Sequence, residues 1–336
     1  MPLVSVIMSV LDTPLEYLTE AVESILCQTY GNIEFIIIDD GSVEGEVIEY
    51  LDHINDEKSN VKVIRNKQNI GLTKSLNIAI DNCHGEYIAR MDADDISLPD
   101  RIEKQVEYME CNPDVCMTGT AVMGFSGDKV LFDSSKSTDH LANQYVREIR
   151  LVFENTGYAH PTFMLRRSFL DNHCIRYRED LKKAQDYALT TDCILAGGKR
   201  HLINEPLFKY RIHSGQISSK SYSEQVECQA ITAHRRISAT FKSLSDDECW
   251  ILARLNHERQ DYTPLQHVNA IKKIVAENRV KKLYDDKLFK KEFYYEWYRK
   301  IMRISRINKR PWGMFCLFNL RIIPAVISIK MENYLN

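Results

Sequence analysis

The sequence predicts an α/β protein with a mostly parallel, doubly wound sheet and a helical C-terminal extension, and three observations predict it. Apolar, β-rich runs alternate with amphipathic helical segments over roughly the first 110 residues, the pattern of a parallel sheet covered by helices on both faces. Two acidic motifs, at 39–40 and 92–95, each close such a run, and open sheets of this kind take ligands at the carboxyl ends of their strands. Beyond about residue 220 the alternation gives way to successive amphipathic helices.

The first run is Val4 to Val10. Thr13-Pro14-Leu15-Glu16 follows as a helix start, with proline at the first helical position and a capping-box glutamate. That helix carries Leu15, Leu18, Val22, Ile25 and Leu26 at helical spacing, and Ile33 to Ile38 is a second continuous apolar run. Val61 to Ile64, a helix over Thr73 to Ile80, and a strand over Tyr87 to Met91 continue the pattern into the second acidic motif. From Leu98-Pro99 a helix with Ile102, Val106 and Met109 on one face leads to the apolar run Val115 to Met123. We expect a catalytic domain over 1–220, with halves of about 1–110 and 111–220, ending in the polar stretch Ser214 to Ser223; the helical region is 221–336.

Length and charge narrow the function. The 336 residues suffice for one large domain with an appendage or for two ordinary domains. With 44 Lys+Arg against 47 Asp+Glu, a formal net charge of −3, the chain lacks the charge balance of a nucleic-acid binder. Nine scattered cysteines, an odd number without a C-x-x-C pair, fit a reducing compartment better than a disulfide framework. Met1 leads into the first strand with neither a basic n-region nor a small-residue cleavage site, so a cytoplasmic protein is expected.

The chemistry concentrates at the strand ends. Met91-Asp92-Ala93-Asp94-Asp95 places three carboxylates within four residues. Hard divalent cations want oxygen ligands, and Mg²⁺ takes one or two protein carboxylates together with substrate phosphates, so a metal–diphosphate site fits. An acidic turn capping the next helix is the alternative. Ile38-Asp39-Asp40-Gly41-Ser42 has the same layout without a phosphate-cradling glycine loop. Since carboxylates repel phosphates, this strand end suits donor groups such as a base imide or ribose hydroxyls; a plain turn is again the alternative.

Taken together the motifs resemble the family-two glycosyltransferases of the GT-A fold. The resemblance rests on Val4 to Val10, Ser24-Ile25-Leu26-Cys27-Gln28-Thr29-Tyr30, Ile38 to Ser42, Asn69-Ile70-Gly71-Leu72, and Arg90 to Asp95 followed by Pro99-Asp100-Arg101, with weaker matches to about residue 220. It implies an inverting transferase that moves one sugar from a nucleotide-diphosphate donor to an acceptor hydroxyl, forming a β-glycoside from an α-linked donor. Asp40, with Asp39 beside it, would meet the nucleobase; Asp92 would lie near ribose and metal, and Asp94 would ligate Mn²⁺ or Mg²⁺. Lys74 could approach the nucleotide or diphosphate. Lys183-Ala184-Gln185-Asp186 matches the family's Glu-Asp motif with Gln185 in the first position, which makes Asp186 the expected base. A first-turn acid stabilised by the helix dipole is the alternative for Asp186. Tyr210 to Gly215 resembles a segment closing over the donor diphosphate, with Arg211 on phosphate and His213 on the metal, and His160 resembles an acceptor-side residue. The chain departs from the family at Leu11, where an aromatic residue usually precedes Asn.

The resemblance further implies UDP-glucose, UDP-galactose or an N-acetylated relative as donor, a glycan on a polyprenyl diphosphate as acceptor, and O-antigen or capsule assembly as the setting. From Lys281 to Arg310 eleven Lys/Arg face four Asp/Glu, interleaved with Phe289, Phe293, Tyr294, Tyr295, Trp297 and Tyr298. Trp312 to Ile329 is apolar but carries Arg321 and Pro324, and a central arginine costs about 2.5–3.5 kcal/mol on insertion. These features suggest a helix lying on the inner membrane surface; a packed helical subdomain or a homo-oligomer contact is the competing reading. A nucleotidyltransferase or dehydrogenase is disfavoured because neither G-x-G-x-x-G nor a P-loop is present. A catalytically silent carbohydrate- or nucleotide-binding scaffold on the same fold is the alternative from another class.

Overall fold

The computed structural model describes residues 1–137, 143–213, 222–255 and 262–308. Two compact units form, one from residues 1–137 and 158–221 and the other from 138–157 and 222–336.

In the first unit the chain runs β1 (Val4–Val10), α1 (Leu15–Leu26), β2 (Ile33–Asp39), α2 (Gly45–Glu57), β3 (Val61–Arg65), α3 (Leu72–Asp81) and β4 (Tyr87–Asp92). It continues through β5 (Ile96–Ser97), α4 (Arg101–Cys111), β6 (Val115–Ser126) and β7 (Lys129–Asp133). After α5 (Gln144–Arg150), which belongs to the other unit, come β8 (Met164–Arg166), α6 (Arg167–Asn172), α7 (Gln185–Leu195) and β9 (Lys199–Arg211).

Among the described residues one nine-stranded sheet results, in the order β3-β2-β1-β4-β8-β6-β9-β5, with β7 beside β6. β3, β2, β1 and β4 are parallel, as the alternating pattern predicts, and so are β6 and β9. The short strand β8 joins the two parallel sets by pairing antiparallel with both β4 and β6. Because side chains alternate across a strand, Val4, Val6, Met8 and Val10 face Leu18, Val22, Leu51, Ile102 and Met109 on one side. Ile7, Ile36, Ile38 and Ile88 face Leu76, Ile80, Leu170 and Leu189 on the other. Both faces are covered, so these strands read as continuous apolar runs. The expected capping box of α1 does not form: Pro14 occupies the cap position and no side-chain cap bond is made, Thr13 lying one residue too early.

The second unit holds α5 and the helices α8 (Tyr222–Thr240), α9 (Asp246–Ala253), α10 (Pro264–Lys281) and α11 (Asp286–Asn308). Capping boxes Ser245/Glu248 and Thr263/Gln266 open α9 and α10. Residues 138–157 depart from the expected 1–220 domain because α5 is fastened to α11. Arg150, almost fully buried, donates to Glu296 at 3.0 Å and lies 3.7 Å from Glu292, and Phe153 meets Phe293 edge-on at 4.7 Å. Phe289, Phe293, Tyr294 and Trp297 are buried inside this unit. These four aromatic residues are therefore core, while Lys281, Lys282, Lys287, Lys290 and Arg299 stay exposed. Among the described residues no helix is long and apolar enough to cross a membrane. The stretch Trp312 to Ile329 lies outside the described residues, as do residues 214–221 of the expected domain boundary.

Candidate active site

Strand register builds the site. Val10 pairs with Asp39 and Ser9 with Asp92, so the carboxyl ends of β1, β2 and β4 finish side by side. β1 and β4 flank the point where the chain, having wound to β3, returns across the sheet, which is where a crevice opens in such folds.

Past β4 the acidic turn is held by β9, whose Lys209 and Phe208 pair antiparallel with Ile96 and Ser97 of β5. This pairing carries Arg211 and His213 to the turn from more than a hundred residues away. Asp92, Asp94 and Asp95 each offer an oxygen, and these atoms all lie within 4.8 Å of one another. His213 Nε2 sits 2.9 Å from Asp94 Oδ2. Asp95, 1% exposed, accepts the Arg211 backbone N–H on Oδ1 at 2.8 Å, and its Oδ2 is buried without a hydrogen-bond partner. Arg90, nearly fully buried, donates to Asp92 Oδ1 and fixes that carboxylate, while its Nε and Nη1 find no partner.

Burial, together with the negative charge of Asp94, pushes the Asp92 carboxyl up despite Arg90. Burial and then the charges of Asp92 and Asp94 push Asp95 well above the usual carboxylate range. Crowded carboxylates, an orphaned oxygen and an adjacent imidazole nitrogen are the donor set a hard divalent cation satisfies. Arg211 is bonded to the acidic turn. Its Nε donates to the Asp94 carbonyl at 2.7 Å, its Nη2 to Glu20, and its guanidinium is flanked by the Tyr17 and Phe125 rings at 4.2 and 4.6 Å.

A second group of expected site residues lies on α7 and the segment before β8. Asp186 occupies the first turn of α7, just after Ala184 in a left-handed conformation, with Gln185 opening the helix. His160 Nε2 lies 2.7 Å from the hydroxyl of the buried Tyr177, and its ring packs edge-on against Phe163. Burial and the Arg90 charge hold His160 well below the ordinary histidine range, so the imidazole is neutral at physiological pH. The Tyr177 phenol is pushed up, first by burial and then by Asp186 and Asp92, with Arg90 opposing.

Asp39 and Asp40 are turned inward. Asp39 accepts the Ser42 N–H at 2.8 Å and Arg65 Nε at 2.6 Å. Asp40 accepts Asn66 Nδ2 and the N–H groups of Ile70 and Gly71, each at 2.9 Å. Gly41 is required here: it adopts φ +84°, and a Cβ would lie 2.6 Å from the Gln68 carbonyl carbon. Lys74 is exposed in the first turn of α3 and makes no hydrogen bond or ion pair to these groups. The fold thus gathers Asp92, Asp94, Asp95, Arg211 and His213, with Arg90 on Asp92 and His160 on Tyr177. Sequence reasoning assigned no role to Arg90, Tyr177, Tyr17 or Glu20. Arg90 lies within a quoted motif, whereas the others become visible only through long-range contacts.

Comparison with known proteins agrees with this architecture. The model of Glycosyl transferase family 2 matches residues 5–170. An uncharacterized glycosyltransferase of Methanocaldococcus jannaschii is 33% identical over 221 residues, covering 63% of this chain and 71% of that protein. The O-antigen biosynthesis glycosyltransferase WbnJ of Escherichia coli is 33% identical over 219 residues, covering 62% of this chain and 80% of that protein. The crystal structure of S. aureus TarS residues 1–349 in complex with UDP-GlcNAc has the same fold, with a TM-score of 0.59 at 19% identity over 91% of this chain and 90% of that one.

Proposed function

Because the chain belongs to glycosyltransferase family 2, we propose that it transfers a single sugar, with inversion, from a UDP-sugar to a hydroxyl of a lipid-linked glycan in bacterial surface-polysaccharide assembly. The observation that carries this reading is the convergence of Asp92, Asp94, Asp95 and His213 at the carboxyl end of β4. The similarity to an O-antigen transferase supports the setting, and the UDP-GlcNAc bound by the TarS structure supports the donor class.

Asp94, Asp92 and His213 would hold Mn²⁺ or Mg²⁺, which supplies charge neutralisation at the leaving nucleoside diphosphate. The remaining work falls to the chain's own groups. Asp186 accepts the proton of the acceptor hydroxyl as it attacks opposite the leaving group, and Gln185 beside it lines the acceptor side. Arg90 engages one oxygen of Asp92 and leaves the other for ribose or sugar hydroxyls. Neutral His160, hydrogen-bonded to Tyr177, offers the acceptor sugar a polar contact without a competing charge. Lys74, near the start of α3, would meet the nucleotide from the other side of the crevice. Asp40, which holds the 66–71 loop, and Asp39, which holds Ser42 and Arg65 beside it, would meet the nucleobase side of the donor.

The test is release of nucleoside diphosphate from a panel of nucleotide sugars, with Mn²⁺ or with chelator, with and without short polyprenyl-diphosphate sugar acceptors. Metal-dependent release from one UDP-sugar, enhanced by one acceptor, is expected. Release from no donor under any condition would favour a binding scaffold.

A further inference from the structure

We infer that Glu20 and Arg211 are a positioning pair that sets the metal-binding turn, and that Arg211 is not a diphosphate contact. The inference rests on the metal-dependent reading above and deepens it.

Three bonds define the role of Arg211. Its backbone N–H holds Asp95 Oδ1 at 2.8 Å, its Nε holds the Asp94 carbonyl at 2.7 Å, and its Nη2 reaches Glu20 on α1. The guanidinium lies between the Tyr17 and Phe125 rings, and its side chain is only 8% exposed. Its Nε is thus spent on the turn and its Nη2 on Glu20. Two residues further on, His213 meets Asp94 Oδ2, so one strand end grips the turn by its backbone and also contributes a nitrogen beside the same carboxylate. A misplaced Asp94 backbone would move that carboxylate away from its partners.

Glu20 meets an electrostatic need. A buried guanidinium next to a cation site opposes cation binding, because like charges interact strongly where water is excluded. A carboxylate on the far side of Arg211 offsets that charge and holds the fork in place. Glu20 supplies it from α1, an element that the acidic motif itself does not include.

The experiment measures Mn²⁺ binding in the presence of UDP by calorimetry and by the Mn²⁺ spin-resonance signal, together with KM for Mn²⁺ and kcat, in the full chain and in Glu20→Ala. Loss of a group bonded to a metal ligand typically weakens metal binding about 10–100-fold, and Glu20, exposed and one bond further out, belongs at the lower end of that range. The expected result is a rise of that size in the Mn²⁺ dissociation constant and KM, with kcat at saturating Mn²⁺ largely retained and UDP binding in chelator unchanged. Glu20→Gln, which keeps the hydrogen-bond acceptor and removes the charge, should fall between the two, and it decides the matter if the alanine variant does not fold. Unchanged Mn²⁺ affinity in a folded Glu20 variant overturns the pair. So does loss of metal-free UDP binding, relative to uridine, in Arg211→Lys, since that is the signature of a diphosphate contact. If the unaltered chain binds no Mn²⁺ with UDP, the metal-dependent reading itself fails and the pair has nothing to position.

Discussion

Replacing Asp94 by asparagine separates the catalytic demand on the acidic turn from the stability of the fold. Oxygens of Asp92, Asp94 and Asp95 lie within 4.8 Å of one another, and at an effective dielectric near 20 two unit charges at that distance repel by about 3 kcal/mol. Asp94 is partly exposed, and solvent screening brings its share down to about 1 kcal/mol. Asparagine retains an oxygen for His213 while removing the charge, so in chelator the variant should be as stable as the parent or about 1 kcal/mol more stable. In a unit of about 200 residues that corresponds to roughly 2–4 °C in Tm. Added Mn²⁺ acts in the opposite direction. At a metal concentration of about 100 times Kd the parent gains about 2.7 kcal/mol, or roughly 5–10 °C, and the variant should gain almost none. Thermal melts with Mn²⁺ and with chelator, run beside donor turnover, make the comparison. A variant that keeps the parent's Mn²⁺ shift, or that melts well below the parent in chelator, would refute the assignment of Asp94 as a metal carboxylate.

Two further outcomes are expected. Asp186→Asn should lower kcat by about 10²–10⁴-fold while leaving UDP affinity and the Mn²⁺-induced melting shift intact; near-normal turnover would remove Asp186 from proton transfer. In the helical unit, Glu277 accepts the Lys242 and Ser243 N–H groups and the Ser243 hydroxyl and pairs with Lys281. Although burial opposes it, these partners bring its carboxyl down to about 2 from the ordinary 4.5. A lowered folded value means stability that is present above pH 4.5 and lost as pH falls toward 2, at most about 3 kcal/mol. Glu277→Gln should therefore melt lower at neutral pH and lose less stability than the parent between pH 5 and 2, whereas parallel pH profiles would count against this role.

The parallel half of the sheet was legible because each strand there is buried on both faces and each helix carries one apolar stripe. Val4–Val10 emerges from the sequence with the bounds it has in the fold, and Ile33–Asp39 differs by one residue. The rest was hidden for particular reasons. β8 has three residues, too few for any periodicity, yet it joins β4 to β6. β9 pairs with β6 through repeated register shifts, and Glu205-Pro206 interrupts its pattern, so the strand that brings Arg211 to the acidic turn does not look like one. The membership of 138–157 in the helical unit depends on the Arg150 contacts with Glu292 and Glu296, which nothing local encodes. The aromatic stripe of α11 has the same spacing whether it faces lipid or core, and only packing decides for core.

The two acidic motifs began with the same pair of readings, and hydrogen-bond accounting separates them. If Asp92, Asp94 and Asp95 were a helix-capping turn, at least one carboxylate would accept from the first turn of α4. That helix instead begins after Asp100 with no side-chain cap, and the three acids face Arg90, His213, the Arg211 N–H and one another. Local folding has no use for three acids so arranged, since burial and mutual repulsion raise the energy of the charged forms, and a cost of this kind is retained where a ligand relieves it. Asp39 and Asp40 show the reverse. Ser42, Arg65, Asn66, Ile70 and Gly71 supply donors to their oxygens, so these acids tie the 39–42 turn to the end of β3 and the 66–71 loop. Two carboxylates after a buried strand are therefore not in themselves a metal signal, and what distinguishes the second motif is three carboxylates crowded together with one oxygen left without a donor.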